Sequence, residues 1–461
     1  MNSEFLEGCE LTVAAVGDLL INRRISVFEK DERFMALIKV IRDADVGYAN
    51  FETAIHDYQF PPGSKNGGWY GQVSSWAVSE LKWMGIDMVG CANNHSFDYS
   101  TEGLLNTKRV LSQGGIVNTG TGMDLGEARA PVYFDTGKGR VALLDGASTI
   151  RMSEMAGYSR PDIKGRPGMN GIRYDTKYKV DKESAKKLRE VASRWGINIE
   201  EDEEEFNLFE KTFTVGKDCK IERKVREPDL SANLRAVKDA KRQADWVVFG
   251  MHCHEAPILR RGKQPEHESI QQPAEFHVEF THALVDAGVD MFFGAGSHCL
   301  RGIEIYKGKP IFYSLGNFIE NLGTQERQAT DAYESLKYGR SYYQGCSIPD
   351  LDVMWATPAD YSDYAWDPNL PTSAQVKKKS LATTKYWWTT ILPSLTITNR
   401  KLSNLKLYPV TLQRDKPRSQ RGRPILAVGK EAEEIIERAR RLSEPFGTEI
   451  AYKDGIGVVK L

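Results

Sequence analysis

Gly90-Cys91-Ala92-Asn93-Asn94-His95-Ser96-Phe97-Asp98 places a carboxamide, an imidazole and a carboxylate in one short run. The residues before it, Gly85-Ile86-Asp87-Met88-Val89, read as a buried strand. Asn94 and His95 therefore emerge at its carboxyl end, the edge at which open α/β sheets place ligands. Four other strand ends carry the same chemistry. Asp18 follows the apolar run 11–16, Asn50 and Glu52 follow 46–49, His252 and His254 follow 246–251, and His298 follows 291–294. A capping Asp or a hydrogen-bonded core His explains any one of these as well as a ligand does. Five together point to a metal site, because Asp, Glu, Asn and neutral His suit divalent first-row cations. Mn, Fe and Zn fit such donors equally, as one ion or two.

The composition excludes several classes. A chain of 461 residues with 41% apolar content can bury a large core, and a net charge of -1 provides no global field for nucleic acid or an anionic membrane. The first ten residues lack a basic and then apolar signal pattern, and no apolar run approaches the ~20 residues that span a bilayer. The six cysteines are widely spaced, which favours reduced thiols over a disulfide scaffold. The expectation is a cytoplasmic protein with a small-molecule substrate and neither a nucleic-acid nor a membrane partner. Cys91, Cys253 and Cys299 sit near motifs, but small buried hydrophobes suit these places better than thiolates beside oxygen and imidazole donors.

The ligand candidates run from residue 18 to residue 298, so one domain over 1–461 is expected, with insertions at about 151–229 and 321–392. Residues 11–150 alternate strands with helices over 74–83 and 101–112, then turn through a hairpin. The segment 151–229 loses apolar periodicity, and its acidic run 201–205 reads as a solvated surface. Helices resume over 232–243 and 274–287, and 302–318 reads as a hairpin. Residues 321–392 are irregular and aromatic, in the manner of a lid over a pocket or a homo-oligomer interface.

Read together, Val16-Gly17-Asp18, Asn50-Phe51-Glu52, Ala92 to Asp98, Met251-His252, and Gly294 to Phe318 resemble the CapA family of poly-γ-glutamate capsule-synthesis proteins. The resemblance covers most of the chain. That family looks like a branch of the calcineurin-like metallophosphoesterases, which implies a four-layer α/β/β/α sandwich with a two-metal site at the strand ends. It implies Asp18, Asn94, His252 and His298 as metal ligands, Glu52 as the bridging carboxylate and His95 as the catalytic imidazole. Metallophosphoesterases usually carry a His where this chain has Leu20, and another before the last His, where it has Ala295 and Gly296. Cys253 and His254 replace the family's usual Trp-Gly. Either one metal has fewer ligands or His254 completes the set.

Asp98, three residues beyond His95, either orients that imidazole or caps the next helix. Arg301 and Arg260 are candidates to grip a substrate carboxylate or phosphate, with surface ion pairing as the alternative. The leading expectation is a cytoplasmic metal-dependent hydrolase of a small anionic ester, amide or phosphoester. The alternatives are a capsule-synthesis factor and a non-catalytic binding protein on the same fold.

Overall fold

The computed structural model describes residues 10–63, 69–257, 271–321, 324–325, 327–329, 385–417 and 419–461. Two sheets stack face to face; among the described residues the larger has ten strands and the smaller six. In the larger, Glu10–Leu20, Val46–Phe51, Met88–Gly90 and Val117–Thr119 run parallel in that order. Glu10–Leu20 also pairs with the antiparallel Thr389–Thr398, which leads to Lys401–Thr411. In the smaller, Trp246–His252 lies between Gly139–Ala147 and Met291–Ala295, all three parallel.

Strand alternation explains the layers. Val13, Ala15, Tyr48 and Met88 face inward and pack on Leu143, Val248 and Phe293 of the second sheet. Ala14, Val16, Ala49 and Val89 face outward, under the helices Glu32–Arg42, Ala77–Met84 and Ser100–Gln113. Ala142, Leu144, Val247 and Phe249 are covered by Glu227–Gln243 and Glu275–Ala287. Strands buried on both faces give the apolar runs seen in the sequence. The result is the expected α/β/β/α arrangement. Asp31 fixes the start of the first helix by accepting from the amides of Arg33 and Phe34, and Gly85, in the left-handed region, ends the second.

The first insertion departs from expectation. Within 151–229, Tyr174–Asp181, Glu205–Leu208, Lys211–Gly216 and Lys220–Val225 form a four-stranded sheet covered by helix Lys182–Arg194. Val180, Ala185, Ala192, Phe206 and Leu208 make its own core. So small a core needs few apolar residues, and the charged, half-exposed strands hid their alternation. Most of the second insertion, 330–384, lies outside the described residues, as do Arg260 and Arg261.

Candidate metal centre

Glu52 directly follows strand Val46–Phe51 and is wholly buried, and neither of its carboxylate oxygens has a hydrogen-bond partner. Three imidazoles turn Nε2 toward its Oε1: His95 at 3.9 Å, and His252 and His298 at 3.8 Å. The Nε2 atoms of His252 and His254 are 2.9 Å apart. Two donor groups result, Glu52 with His252 and His254, and Asp18 with Glu52 and His298, and within each all donors lie within 4.8 Å of one another. Glu52 is common to both, the place of a bridging ligand. Separations of 3.8–3.9 Å are too long for hydrogen bonds. They suit donors sharing a cation, each about 2.0–2.2 Å from it. Asn94 Oδ1 is likewise buried without a partner.

Both sheets build this bed. Asp18, Glu52, Asn94 and His95 come from the larger, and His252, His254 and His298 from strand ends of the smaller. Asn50 Nδ2 donates to Asp18 Oδ1 at 2.8 Å and lies 3.3 Å from Nδ1 of His252. The Gly296 amide donates to both Asp18 oxygens, at 3.1 and 3.2 Å. His298 adopts φ 56°, a strained conformation for a non-glycine residue. Its Nδ1 is 3.2 Å from Asp18 Oδ2 and 2.9 Å from Asn317 Oδ1, which leaves Nε2 facing Glu52. Gly296 has φ 94°, and a Cβ there would stand 2.8 Å from the His252 ring. The backbone thus needs glycine at one of the two positions where related enzymes are expected to carry a histidine.

Electrostatics agree with a cation site. Burial, and then the charge of Asp18, push the Glu52 carboxyl well above its usual range. Burial holds His252 and His254 well below the usual imidazole value, aided for His252 by its histidine neighbours and for His254 by His298 and His95. Neutral imidazoles are the form that ligates metals. Burial is the largest single influence on His298 and pulls it down, but the bond to Asp18 and its charge, the bond to Asn317 and the charge of Glu320 together outweigh burial and raise it. The donor set, with an orphaned buried carboxylate at its centre, fits one or two divalent cations.

His95 Nδ1 lies 2.7 Å from Asp98 Oδ2, which also accepts from the Gly71 amide at 2.6 Å. Helix Ser100–Gln113 is capped by Tyr99 without a side-chain bond, so Asp98 holds the imidazole rather than the helix. Asn93 Oδ1 accepts from the His95 amide at 3.1 Å, and its Nδ2 donates to the Phe51 carbonyl at 2.9 Å. Trp69 meets His95 edge-on at 5.1 Å, and Trp387 lies 4.6 Å from His298. Thr149 accepts from the His254 amide at 2.8 Å. Sequence reasoning assigned no site role to Trp69 or Thr149, since neither an indole nor a loop threonine carries a ligand signature; Trp387 belongs to the aromatic 321–392 segment expected to form a lid or an interface, and Asn50 was visible only as a strand-end amide.

The Arg301 guanidinium is wholly buried and donates to the carbonyls of Cys253 at 3.2 Å and His254 at 3.0 Å, so it holds the His252–His254 turn. Arg260 lies outside the described residues. Cys91, Cys253 and Cys299 are buried free thiols. Burial and the nearby Glu255 push the Cys253 thiol up to about 12, the protonated form and a poor ligand.

Residues 12–322 match the family described as "Bacterial capsule synthesis protein PGA_cap". The chain belongs to this family. An uncharacterized protein of Sinorhizobium fredii is 34% identical over 458 residues, 98% of this chain and 93% of that protein. The PGA biosynthesis protein CapA of Bacillus subtilis is 23% identical over 355 residues, covering 76% of this chain and 73% of the relative. Among solved structures, a phosphatase from Mycoplasma pneumoniae aligns with TM-score 0.37 and 11% identity, over 88% of this chain and 94% of its own. Within the PGA_cap match lie Asp18, Glu52, Asn94, His95, His252, His254 and His298. Among the described residues, no helix is long and apolar enough to cross a membrane.

Proposed function

We propose that this chain is a cytoplasmic metal-dependent hydrolase acting on a small anionic ester, amide or phosphoester. The observation that carries the reading is Glu52, a wholly buried carboxylate with no hydrogen-bond partner, ringed by imidazole Nε2 atoms. Mn, Fe or Zn held there supplies Lewis acidity and lowers the pKa of water. Asp18, Asn94, His252, His254 and His298 complete the ligand set around Glu52. With Nδ1 committed to Asp98, His95 presents Nε2 to the bed, and as the imidazolium, with protons on both ring nitrogens, it gives the Nε2 proton to the leaving group there and becomes neutral. Trp69 and Trp387 wall the site beside His95 and His298. Four described cysteines are free thiols, which suits a reducing compartment.

The names of the relatives favour a second reading, a role in making a capsule polymer. Metal analysis of protein purified without chelator tests the first. It is paired with phosphomonoesters, phosphodiesters, lactones and γ-glutamyl amides, each with added Mn²⁺ or Zn²⁺. Bound metal with turnover of one class supports the hydrolase. Protein that takes up no metal, or that binds metal and turns over none of the panel, speaks against it.

A further inference from the structure

Asp145 lies on strand Gly139–Ala147 of the smaller sheet, on the inward face it shares with Val141 and Leu143. It is buried at the sandwich interface, and its Oδ2 accepts from the Ala92 amide of the other sheet at 2.6 Å. Three glycines clear room for the carboxylate. A methyl group on Gly90 or Gly250 would stand 2.6 Å from Oδ1, and one on Gly120 would overlap Oδ2. Gly90 belongs to the larger sheet, and Gly250 pairs directly with Asp145 in the smaller, two residues before His252. Ala92 stands one residue before Asn93, which sets the His95 turn.

We propose that Asp145 is a positioning residue that ties the 93–95 turn of one sheet to the His252 strand of the other. It thereby fixes the spacing of the two half-sites. This rests on the metal-centre reading above. The bond runs between the sheets, whereas Asn93 anchors the same turn within its own sheet, to the Phe51 carbonyl. A carboxyl in an apolar interface is costly to keep there, burial pushes that of Asp145 well above the usual carboxylate range, and the glycine cradle shows that backbone from both sheets accommodates it.

The test titrates Mn²⁺ by calorimetry into full-length, chelator-stripped protein and follows urea unfolding in parallel. Asp145→Ala should weaken Mn²⁺ binding by roughly 10–100-fold, the usual effect of losing a partner that orients ligands. Asp145→Asn, which keeps an acceptor oxygen for the Ala92 amide, should restore most of the affinity. If Asp145→Ala does not fold, Gly90→Ala carries the test, because its added methyl pushes the carboxylate aside and should weaken binding likewise. A purely structural role would lower the unfolding midpoint and leave Mn²⁺ affinity unchanged, and that result would overturn the proposal. Asparagine as damaging as alanine would overturn it too. A wild-type protein that takes up no Mn²⁺ would instead sink the metal-centre reading itself.

Discussion

Glu52→Gln separates the charge of the central side chain from its shape. In metal-free wild-type protein the carboxyl is buried beside Asp18 without a partner, and its pKa stands well above 4.5. The folded state then retains a proton that the unfolded state has released. Metal-free stability from this group is therefore present below about 4.5 and is lost as pH rises toward the folded pKa. The amide has no such loss. At pH 7 the metal-free variant should be more stable than metal-free wild type, by about 1.4 kcal/mol for each unit by which the folded carboxyl pKa is raised within that window, and the gap should close below pH 4.5. Metal acts in the opposite direction. Mn²⁺ at a hundred times its Kd stabilises the wild type by about 2.7 kcal/mol. Unfolding entropy of roughly 2.1 cal/mol/K per residue over 461 residues is about 1 kcal/mol/K, so Tm should rise by about 3 °C. The variant, lacking the shared ligand, should move by less than about 1 °C on that scale. Scanning calorimetry of both proteins from pH 4 to 8, with EDTA and with Mn²⁺, reads all of this. Equal Mn²⁺ shifts in the two proteins, or a metal-free variant less stable than wild type at pH 7, would refute the bridging role.

His95→Ala should lower turnover by about 10²–10⁴-fold with metal content intact, whereas His298→Ala should lose metal as well; elemental analysis beside kinetics distinguishes them. Gly296→Ala, whose methyl would meet the His252 ring at 2.8 Å, should cut Mn²⁺ affinity by roughly tenfold or more, read by calorimetry. Arg301→Ala orphans the buried carbonyls of Cys253 and His254 and should cost roughly 1.5–3 kcal/mol in urea unfolding, the range for a hydrogen bond to a charged group. KM for an anionic substrate should stay unchanged in the folded fraction, and a raised KM would return Arg301 to the substrate site.

The candidate ligand bed was legible because its members follow apolar runs, and those runs are apolar throughout because their strands are buried on both faces. Asp18, Glu52, His252 and His298 could be placed at one edge from sequence order alone. What sequence could not supply was facing. Arg301 stands three residues from His298, yet its side chain turns inward to carbonyls, and proximity along the chain says nothing of that. Asp145 sits in the run Val141-Ala142-Leu143-Leu144-Asp145, where only the stacking of the second sheet reveals its partner at Ala92. The 174–225 sheet stayed hidden for another reason. Its strands bury one face weakly, so charged residues outnumber the apolar ones that would mark a period of two.

That small sheet leaves and rejoins the sandwich at a single point. Tyr174 and Val225 are opposite one another on antiparallel strands, and the residues between them close over a core of their own. A segment with adjoining ends and a private core can be gained or dropped by a lineage without rerouting any strand that bears a ligand. The strands that carry the candidate ligands therefore follow routes that do not depend on this appendage.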